Sequence, residues 1–582
     1  MIARDDDVRV RPGRIRDRGA GARPKRFAAQ VLRAANKAGY VGPRRTLTGR
    51  GARSSRGSAL ASERLTDVSR RVVVKARVVR HRGRRFRSAS LAAHLAYLKR
   101  EGVTRDGEKT RMFDSENDRA DEKSFADRCE GDRHHFRFVV SPEDAGQMTD
   151  LRAFARDLVA DIERDLSTKL DWVGVDHWNT DNPHVHLIVR GRADNGRDLV
   201  IGRDYISRGI RSRAEELVTI ELGPKNEHEV RSALEREVET DRWTRLDVAI
   251  RRAAGETGLI DLRPDAGGGS SSEIRRLIVG RLQHLQRLDL ASAAGPSQWI
   301  VVSDAERTLR GLGIRRDIIK TMHRAMMGQG IKRSVTDYAI HEENSASAIV
   351  GRLVSKGLHD ELTGEAYATI DSVDGRLHYV RFPDTTALEY TPSAGGVVEV
   401  RHLATDAPGR TRAVLAVRSD LAIQEQVGAK GATWLDHQLV VRKPVSLSQA
   451  GFGQEVREAF EARIDHLAAE GLARRTANCV VFARNLLETL RRRELDGAAE
   501  RIESSEAIPY RLASDGESIS GVYRRRVDLS SGRFAMIDDG RGFALVPWRP
   551  ALERHLARHV DGVVLPGGAV EWSFGRRRTL GL

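Results

Sequence analysis

The chain predicts an α+β fold: an open antiparallel sheet with helices packed on one face, followed by smaller mixed domains. Two observations carry this. Between residues 70 and 222, strand-like apolar runs alternate with amphipathic stretches in the order β-α-β-α-β-β. The last two strand runs, Asp171–Trp178 and His184–Arg190, are separated only by Asn179-Thr180-Asp181-Asn182-Pro183, whose side chains and fixed proline φ favour a tight turn. Strands joined so closely pair antiparallel.

The elements follow in order. Residues 1–69 are rich in Arg, Gly and Ser and are expected to form a basic disordered arm. Residues 71–80 are the first strand. A helix is expected over Ser88–Glu101, with Leu91, His94, Leu95 and Leu98 at helical spacing and Gly102 as its stop. Residues 103–132 form a polar connection, and Phe136–Val140 a second strand closed by Ser141-Pro142. A long amphipathic helix spans about 148–168, and the hairpin follows. Its histidine-bearing strands are expected at the centre of the sheet, because Leu187-Ile188-Val189 is continuously apolar. A helix over Asp204–Leu222 ends at Gly223-Pro224, giving a first domain over 70–224.

Beyond it, 225–271 is expected as a helical linker ending in Gly267-Gly268-Gly269-Ser270-Ser271-Ser272. Residues 272–345 read as a winged-helix-like domain, with a helix over Glu273–Arg287 and a β-wing from Leu288–Ala291 and Gly295–Val302. Such units often place a helix in the DNA major groove. Residues 350–445 form a small β-rich domain, a barrel or sandwich. Residues 446–582 form an α+β C-terminal domain, helical over 451–496 and then short strands. No internal repeat is evident in the sequence.

The formal charge of the 582 residues is +17, with 99 Lys and Arg against 82 Asp and Glu, and the pI is about 10.2. The first 90 residues hold 26 basic and 6 acidic side chains, so the rest is near neutral. A basic arm on a neutral body suits a polyanion, and arginine favours bidentate phosphate contacts. No stretch reaches the roughly 18 continuous apolar residues of a membrane span. Met1–Asp7 lacks the apolar core of a secretory signal, so no membrane insertion and a cytoplasmic location are expected. Cys129 and Cys479 lie far apart and suggest neither a disulfide framework nor a thiolate metal site.

The site candidates centre on His177, His184 and His186. Side chains alternate along a strand, so His184 and His186 share one face, roughly 7 Å apart at Cα, while the hairpin brings His177 beside them. Three neutral imidazoles suit a divalent metal that polarises a substrate oxygen. Nitrogen ligation suits zinc, manganese or nickel, whereas phosphate chemistry usually runs on Mg²⁺ or Mn²⁺. No Ser-His-Asp or Cys-His motif is recognisable. Among nine tyrosines, Tyr97 stands out, on the helix after the basic arm and beside Lys99 and Arg100. No Walker-type glycine loop is present.

Two motifs and the order of elements between them resemble the conjugative relaxases of the MOB-P class, in the His-hydrophobe-His (HUH) endonuclease superfamily. The segment Leu95-Ala96-Tyr97-Leu98-Lys99-Arg100-Glu101-Gly102 is similar to the nucleophile motif of that class. His177…Asp181-x-Pro183-His184-Val185-His186 is similar to its three-histidine metal motif. The resemblance covers about residues 70–222. It implies a relaxase that nicks single-stranded DNA at an origin of transfer, with Tyr97 as nucleophile, Tyr205 as the nearest alternative, and a 5′-phosphotyrosyl intermediate. It further implies metal held by His177, His184 and His186. Asp181 is the expected orienting acid, with Asp176 less favoured because it should face the other side of its strand. Asn182 stands where some relaxases carry a histidine or acid. DNA contacts are expected from Arg80, Arg82, Arg84, Arg85, Arg87, Lys99 and Arg100. Relaxosome accessory proteins and a secretion-channel coupling protein are the implied partners. A replication initiator with the same chemistry and a non-catalytic DNA-binding scaffold are the alternatives.

Overall fold

The computed structural model describes Leu65 and residues 68–81, 88–178, 180–255, 257–263, 272–341, 348–404, 411–476 and 479–574. Most of the expected arm, Arg82, Arg84, Arg85 and Arg87, and the Gly267–Ser271 stretch lie outside the described residues. The chain divides into two compact units. One holds the described residues up to Ile318 together with Glu361–Thr363; the other holds 319–360 and 364 onward. Both are mixed α+β, built on sheets that are antiparallel except where Tyr338–Ile340 pairs parallel with Leu377–Phe382 in the second unit.

The first unit begins with a four-stranded sheet of order β1-β2-β4-β3, formed by β1 (Val72–Arg80), β2 (His134–Pro142), β3 (Leu170–His177) and β4 (His184–Ala193). All three pairings are antiparallel. Helix α1 (Ser88–Glu101) follows β1, and α2 (Glu122–Arg128) lies in the stretch expected to be a plain connection. Asp121 caps α2 by accepting from Lys123 and Ser124 N–H, which a search for apolar periodicity does not register. Helices α3 (Leu151–Leu166) and α4 (Ile210–Leu222) complete this half, with a π-turn at Tyr205–Gly209 leading into α4.

Two expectations need correction. Helices cover both faces of the sheet. Phe136, Phe138, Val140, Trp172, Val185, Leu187 and Val189 form one core with α3 and α4, whereas α1 and α2 pack over β3 on the opposite face. Arg128 of α2 reaches Asp171 of β3 through two 2.8 Å hydrogen bonds. The histidine strands are also not both central: β4 is interior, but β3 is the edge strand. Phe113 N–H and C=O both bond Gly174 and cover part of that edge. Burying Val185, Leu187 and Val189 stabilises the register by roughly 1.5–3 kcal/mol each.

The stretch expected as linker is instead part of a packed helical region. Helices α5 (Glu227–Val238), α6 (Arg245–Ala254) and α7 (Ser272–Arg287) share one core with β7 (Gln298–Val301), and Leu65 and Val68 of the expected arm join it. Strands β5 (Leu259–Asp261) and β6 (Ala291–Gly295) flank β7, so the expected two-stranded wing has a third strand and its first strand starts only at Ala291. Helix α8 (Ala305–Gly328) follows.

The second unit carries a six-stranded sheet of order β13-β12-β9-β10-β11-β8. Its strands are β8 (Tyr338–Ile340), β9 (Ile349–Asp360), β10 (Glu365–Ser372), β11 (Leu377–Phe382), β12 (Val397–Ala404) and β13 (Thr411–Ser419). Helices α9 (Ile423–Val427), α10 (Trp434–Val440) and α11 (Gly451–Ala469) come next. A hairpin of β14 (Ala473–Arg475) and β15 (Val480–Phe482) interrupts the expected helical run before α12 (Leu486–Glu506). A five-stranded sheet from 518 to 573 closes the unit. Val350 and Val373 share a core with Trp434, Phe452 and Val456, so packing runs across the boundary expected at 445.

The two units contain the same buried module, an internal repeat that the sequence reading missed. In the first, Thr244 and Asp247 cap α6 reciprocally. The fully buried Arg281 of α7 donates Nε and Nη2 to Asp247 at 2.8 and 2.9 Å and reaches the Thr240 and Arg242 carbonyls at 2.7 and 3.0 Å. In the second, Thr433 and Asp436 cap α10. The fully buried Arg463 of α11 donates to Asp436 at 2.9 and 2.9 Å and to Ala429 and Gly431 O at 2.7 and 3.1 Å. The likeness continues through Arg281-Leu-x-His284-Leu285 and Arg463-Ile-x-His466-Leu467, then a hairpin and a long helix. Each guanidinium ties a helix to the preceding loop by satisfying carbonyls that lack helical donors. Removing one partner of such a buried pair leaves an uncompensated charge. Arg281→Ala and Arg463→Ala are each expected to destabilise the unit that carries them by about 3–5 kcal/mol in urea unfolding, and a loss under about 1 kcal/mol would contradict this role.

Candidate metal centre

Strand register builds the site. His177 of β3 lies directly opposite His184 of β4, and Val175 opposite His186. Period-two alternation therefore puts all three imidazoles on one face, while Val185, Leu187 and Val189 enter the core on the other. The ring centroids are 4.6 Å apart for His177 and His186, 4.9 Å for His184 and His186, and 5.3 Å for His177 and His184. All three are buried.

The backbone orients two of the rings. A carbonyl oxygen only accepts, so the 2.9 Å contact of His184 Nδ1 with Asn182 O makes Nδ1 the donor and leaves Nε2 facing the cluster. His177 Nε2 likewise donates to Leu98 O of α1 at 3.0 Å, leaving Nδ1 with the lone pair. That helix end approaches closely because residue 102 is glycine: a Cβ there would stand 2.8 Å from His177 Cδ2. His184 Nε2 and His186 Nε2 lie 3.1 Å apart. Glu361 joins them, its Oε2 lying 3.3 Å from His184 Nε2 and 3.5 Å from His186 Nε2. One donor atom from each of the four residues falls within 4.8 Å of all the others.

Burial disfavours charge on these rings. It brings His177 down to about 3, with His186 and His184 adding to the effect, and it lowers His186 despite Glu361. At His184 burial is outweighed by the hydrogen bond and charge of Glu361, so proton affinity rises above the ordinary histidine value. Burial works to raise Glu361, but the neighbouring His186 and the bonds from His184 and His186 hold its carboxyl far below the usual range. Three imidazoles and one carboxylate in this arrangement can hold a divalent ion.

Around the cluster, the same sheet face is basic. Lys75 and Arg77 of β1 are exposed there, with Lys75 acting on His184 and Arg77 on Arg137. Arg137 of β2 is buried and donates Nε to His135 Nε2 at 3.0 Å and Nη1 to Leu362 O at 3.3 Å. His135 Nδ1 then donates to His81 Nε2 at 2.8 Å, and His81 Nδ1 to Asp132 O at 2.6 Å. Lys75, Arg77 and Arg137 were missed from sequence, although each occupies the alternate position of a strand whose other residues are apolar. Glu361 had no local sign at all, being 175 residues from His186.

The other expected residues are placed as follows. Tyr97 is buried on α1, one turn on from the buried His94. Leu98 carries the carbonyl on His177, and His94 lies close enough to feel His186 and Glu361. Tyr205 is on the opposite side of the sheet, packed against the α3–α4 core with its hydroxyl donating to Asp165 at 2.7 Å. Asp181 is exposed in the turn, outside the four-residue group. Asp176 faces away from the histidines, as expected, and accepts from Arg152 Nε, Thr110 Oγ1 and Trp178 Nε1 at 2.9, 3.0 and 2.9 Å. Burial pushes the Cys129 thiol up to about 12, which keeps it protonated at neutral pH. Arg80 is exposed at the end of β1, and Lys99 forms an ion pair with Glu122. The Arg100 side chain lies outside what the structure describes.

His135 supplies a pH test. Burial and then Arg137 hold it down to about 2, whereas the unfolded chain protonates histidine near 6.5. The unfolded state therefore binds the proton first, so this contribution is complete above pH 6.5 and lost as pH falls below it. His135→Gln is expected to make the fall in unfolding free energy between pH 6 and 5 shallower by about 1 kcal/mol. An unchanged slope would contradict a neutral buried ring.

No curated protein and no solved structure matches the chain. Two overlapping stretches, residues 278–417 and 404–581, match a family described as "Protein of unknown function (DUF3363)". They include Glu361 and none of the three histidines. Because the matched stretches span more than half of its length, the chain belongs to the DUF3363 family of proteins of unknown function.

Proposed function

We propose that the protein is a DNA relaxase, a metal-dependent single-strand endonuclease and strand transferase that nicks one strand at an origin of transfer. The observation that carries this reading is the face shared by three buried imidazoles and the helix bearing Tyr97, joined by the bond from His177 to Leu98 O. In this reading the Tyr97 hydroxyl loses its proton and its oxygen bonds to the scissile phosphorus. The bond from phosphorus to the 3′ oxygen breaks, that oxygen takes up a proton, and the 5′ phosphate stays on the tyrosine. Energy is conserved in the phosphodiester, so rejoining needs no nucleotide.

A divalent metal held by His177, His184 and His186 would supply Lewis-acid polarisation of the phosphate when bound. The nitrogen-rich donor set suits Mn²⁺ better than Mg²⁺, which prefers oxygen ligands. Lys75, Arg77 and Arg137 would carry the DNA backbone toward the centre, with salt-sensitive affinity, whereas Arg80 is in phase with the core-side residues of β1 and would contact DNA only from the end of the strand. The arginines at 82, 84, 85 and 87 would add phosphate contacts, while the orienting role expected of Asp181 falls to the carbonyls of Leu98 and Asn182. Helix α7 and the three short strands β5, β6 and β7 would serve as a winged helix on duplex DNA. Accessory proteins of a relaxosome and a secretion-channel coupling protein are the proposed partners, and the proposed location is cytoplasmic. Among the described residues, no helix is long and apolar enough to cross a membrane.

The test is incubation with labelled single-stranded DNA from a candidate transfer origin, with and without Mn²⁺ or Mg²⁺. A metal-dependent adduct that survives boiling in SDS, and is lost in Tyr97→Phe, is expected. An adduct that persists in the variant would remove Tyr97 from the reaction. Tight binding with no adduct under any condition would favour a non-catalytic scaffold.

A further inference from the structure

Glu361 is the member of the cluster that the three-histidine reading does not use. It lies in the turn between β9 and β10, closed by Gly364 N–H donating to Asp360 O at 2.8 Å with Gly364 at φ +79°. Residues 361–363 pack with the first unit. The Glu361 carboxylate meets His184 and His186, and the next carbonyl, Leu362 O, accepts from buried Arg137. The turn thus presents two acceptors to the two groups on this face best suited to hold an anionic phosphate.

Three of the four donors are spaced much as in a coordination shell, and the fourth, from His177, lies within 4.8 Å of them. Donors about 2.0–2.2 Å from a tetrahedral ion lie about 3.3–3.6 Å from one another. The His184–His186, His184–Glu361 and His186–Glu361 donor separations are 3.1, 3.3 and 3.5 Å. Resting on the metal reading above, we propose that Glu361 is a fourth protein ligand of the ion, and that a phosphodiester must displace it to reach the metal. Four protein ligands close a tetrahedral site, whereas catalysis needs an open position. A monodentate carboxylate on a turn is the exchangeable member of the set, because the histidines are fixed by the sheet. An entering DNA phosphate would compete with Glu361 for its place beside His184 and His186, and with Leu362 O for Arg137.

The test uses full-length, metal-free protein titrated with Co²⁺, whose visible absorption is strong in tetrahedral sites and weak in six-coordinate ones. Wild type is expected to bind one ion with the strong band. Glu361→Gln is expected to bind at least about tenfold more weakly, with a weaker band, and His184→Ala to lose binding. Dimethyl phosphate added to cobalt-loaded wild type should shift the band while leaving it strong, because one oxygen ligand replaces another. Glu361→Gln binding with wild-type affinity and spectrum would overturn the fourth-ligand role while leaving the three-histidine centre standing. A wild-type band indifferent to dimethyl phosphate would overturn the displacement. Absence of any cobalt binding by wild type would overturn both this inference and the metal reading beneath it.

Discussion

The pairing of His177 with His184 across the β3–β4 hairpin is the constraint on which the rest depends. Side chains alternate with period two, so a slip of one residue would move every side chain of β4 to the other face. His184 and His186 would enter the core, and Val185, Leu187 and Val189 would face the basic side. The cost of burying unpaired imidazoles and exposing three aliphatic residues locks the register. One hydrophobic decision therefore also fixes the chemistry. α3 and α4 supply the apolar wall that enforces it, and α1 supplies the Leu98 carbonyl that orients His177.

The second organising device is electrostatic and occurs twice. Arg281 and Arg463 each lie fully buried against an aspartate that also caps a helix. Buried ion pairs add little net stability but punish every arrangement that separates the partners. Here each holds a loop–helix junction in one geometry, and the hairpin and long helix that follow are the same in both copies.

Legibility in the sequence followed the range of the forces. The bounds of α1 and the strands of the sheet could be read because alternation and helical spacing are local. The histidine triad was legible for the same reason: it is one hairpin. Helix α2 was hidden because a polar surface helix depends on the Asp121 cap rather than an apolar stripe. Its packing face and that of α1 were hidden because both faces of the sheet carry apolar residues, with Val173, Val175 and Ile188 buried on the histidine side. The repeat was invisible because its identities are few, Thr-x-x-Asp and then an arginine 34 or 27 residues after the aspartate, and the spacing differs between copies. Glu361 could not be found at all, since nothing in Glu361-Leu362-Thr363-Gly364 distinguishes it from any other hairpin turn.

The central claim is that this sheet face is a metal centre. Anomalous scattering from crystals of the full-length chain soaked in Mn²⁺ tests it most directly. The expected result is one strong peak at bonding distance, roughly 2.0–2.3 Å, from nitrogens of His177, His184 and His186. Crystals that diffract well and show manganese elsewhere, or nowhere, with His184 and His186 still hydrogen-bonded to each other, would contradict it.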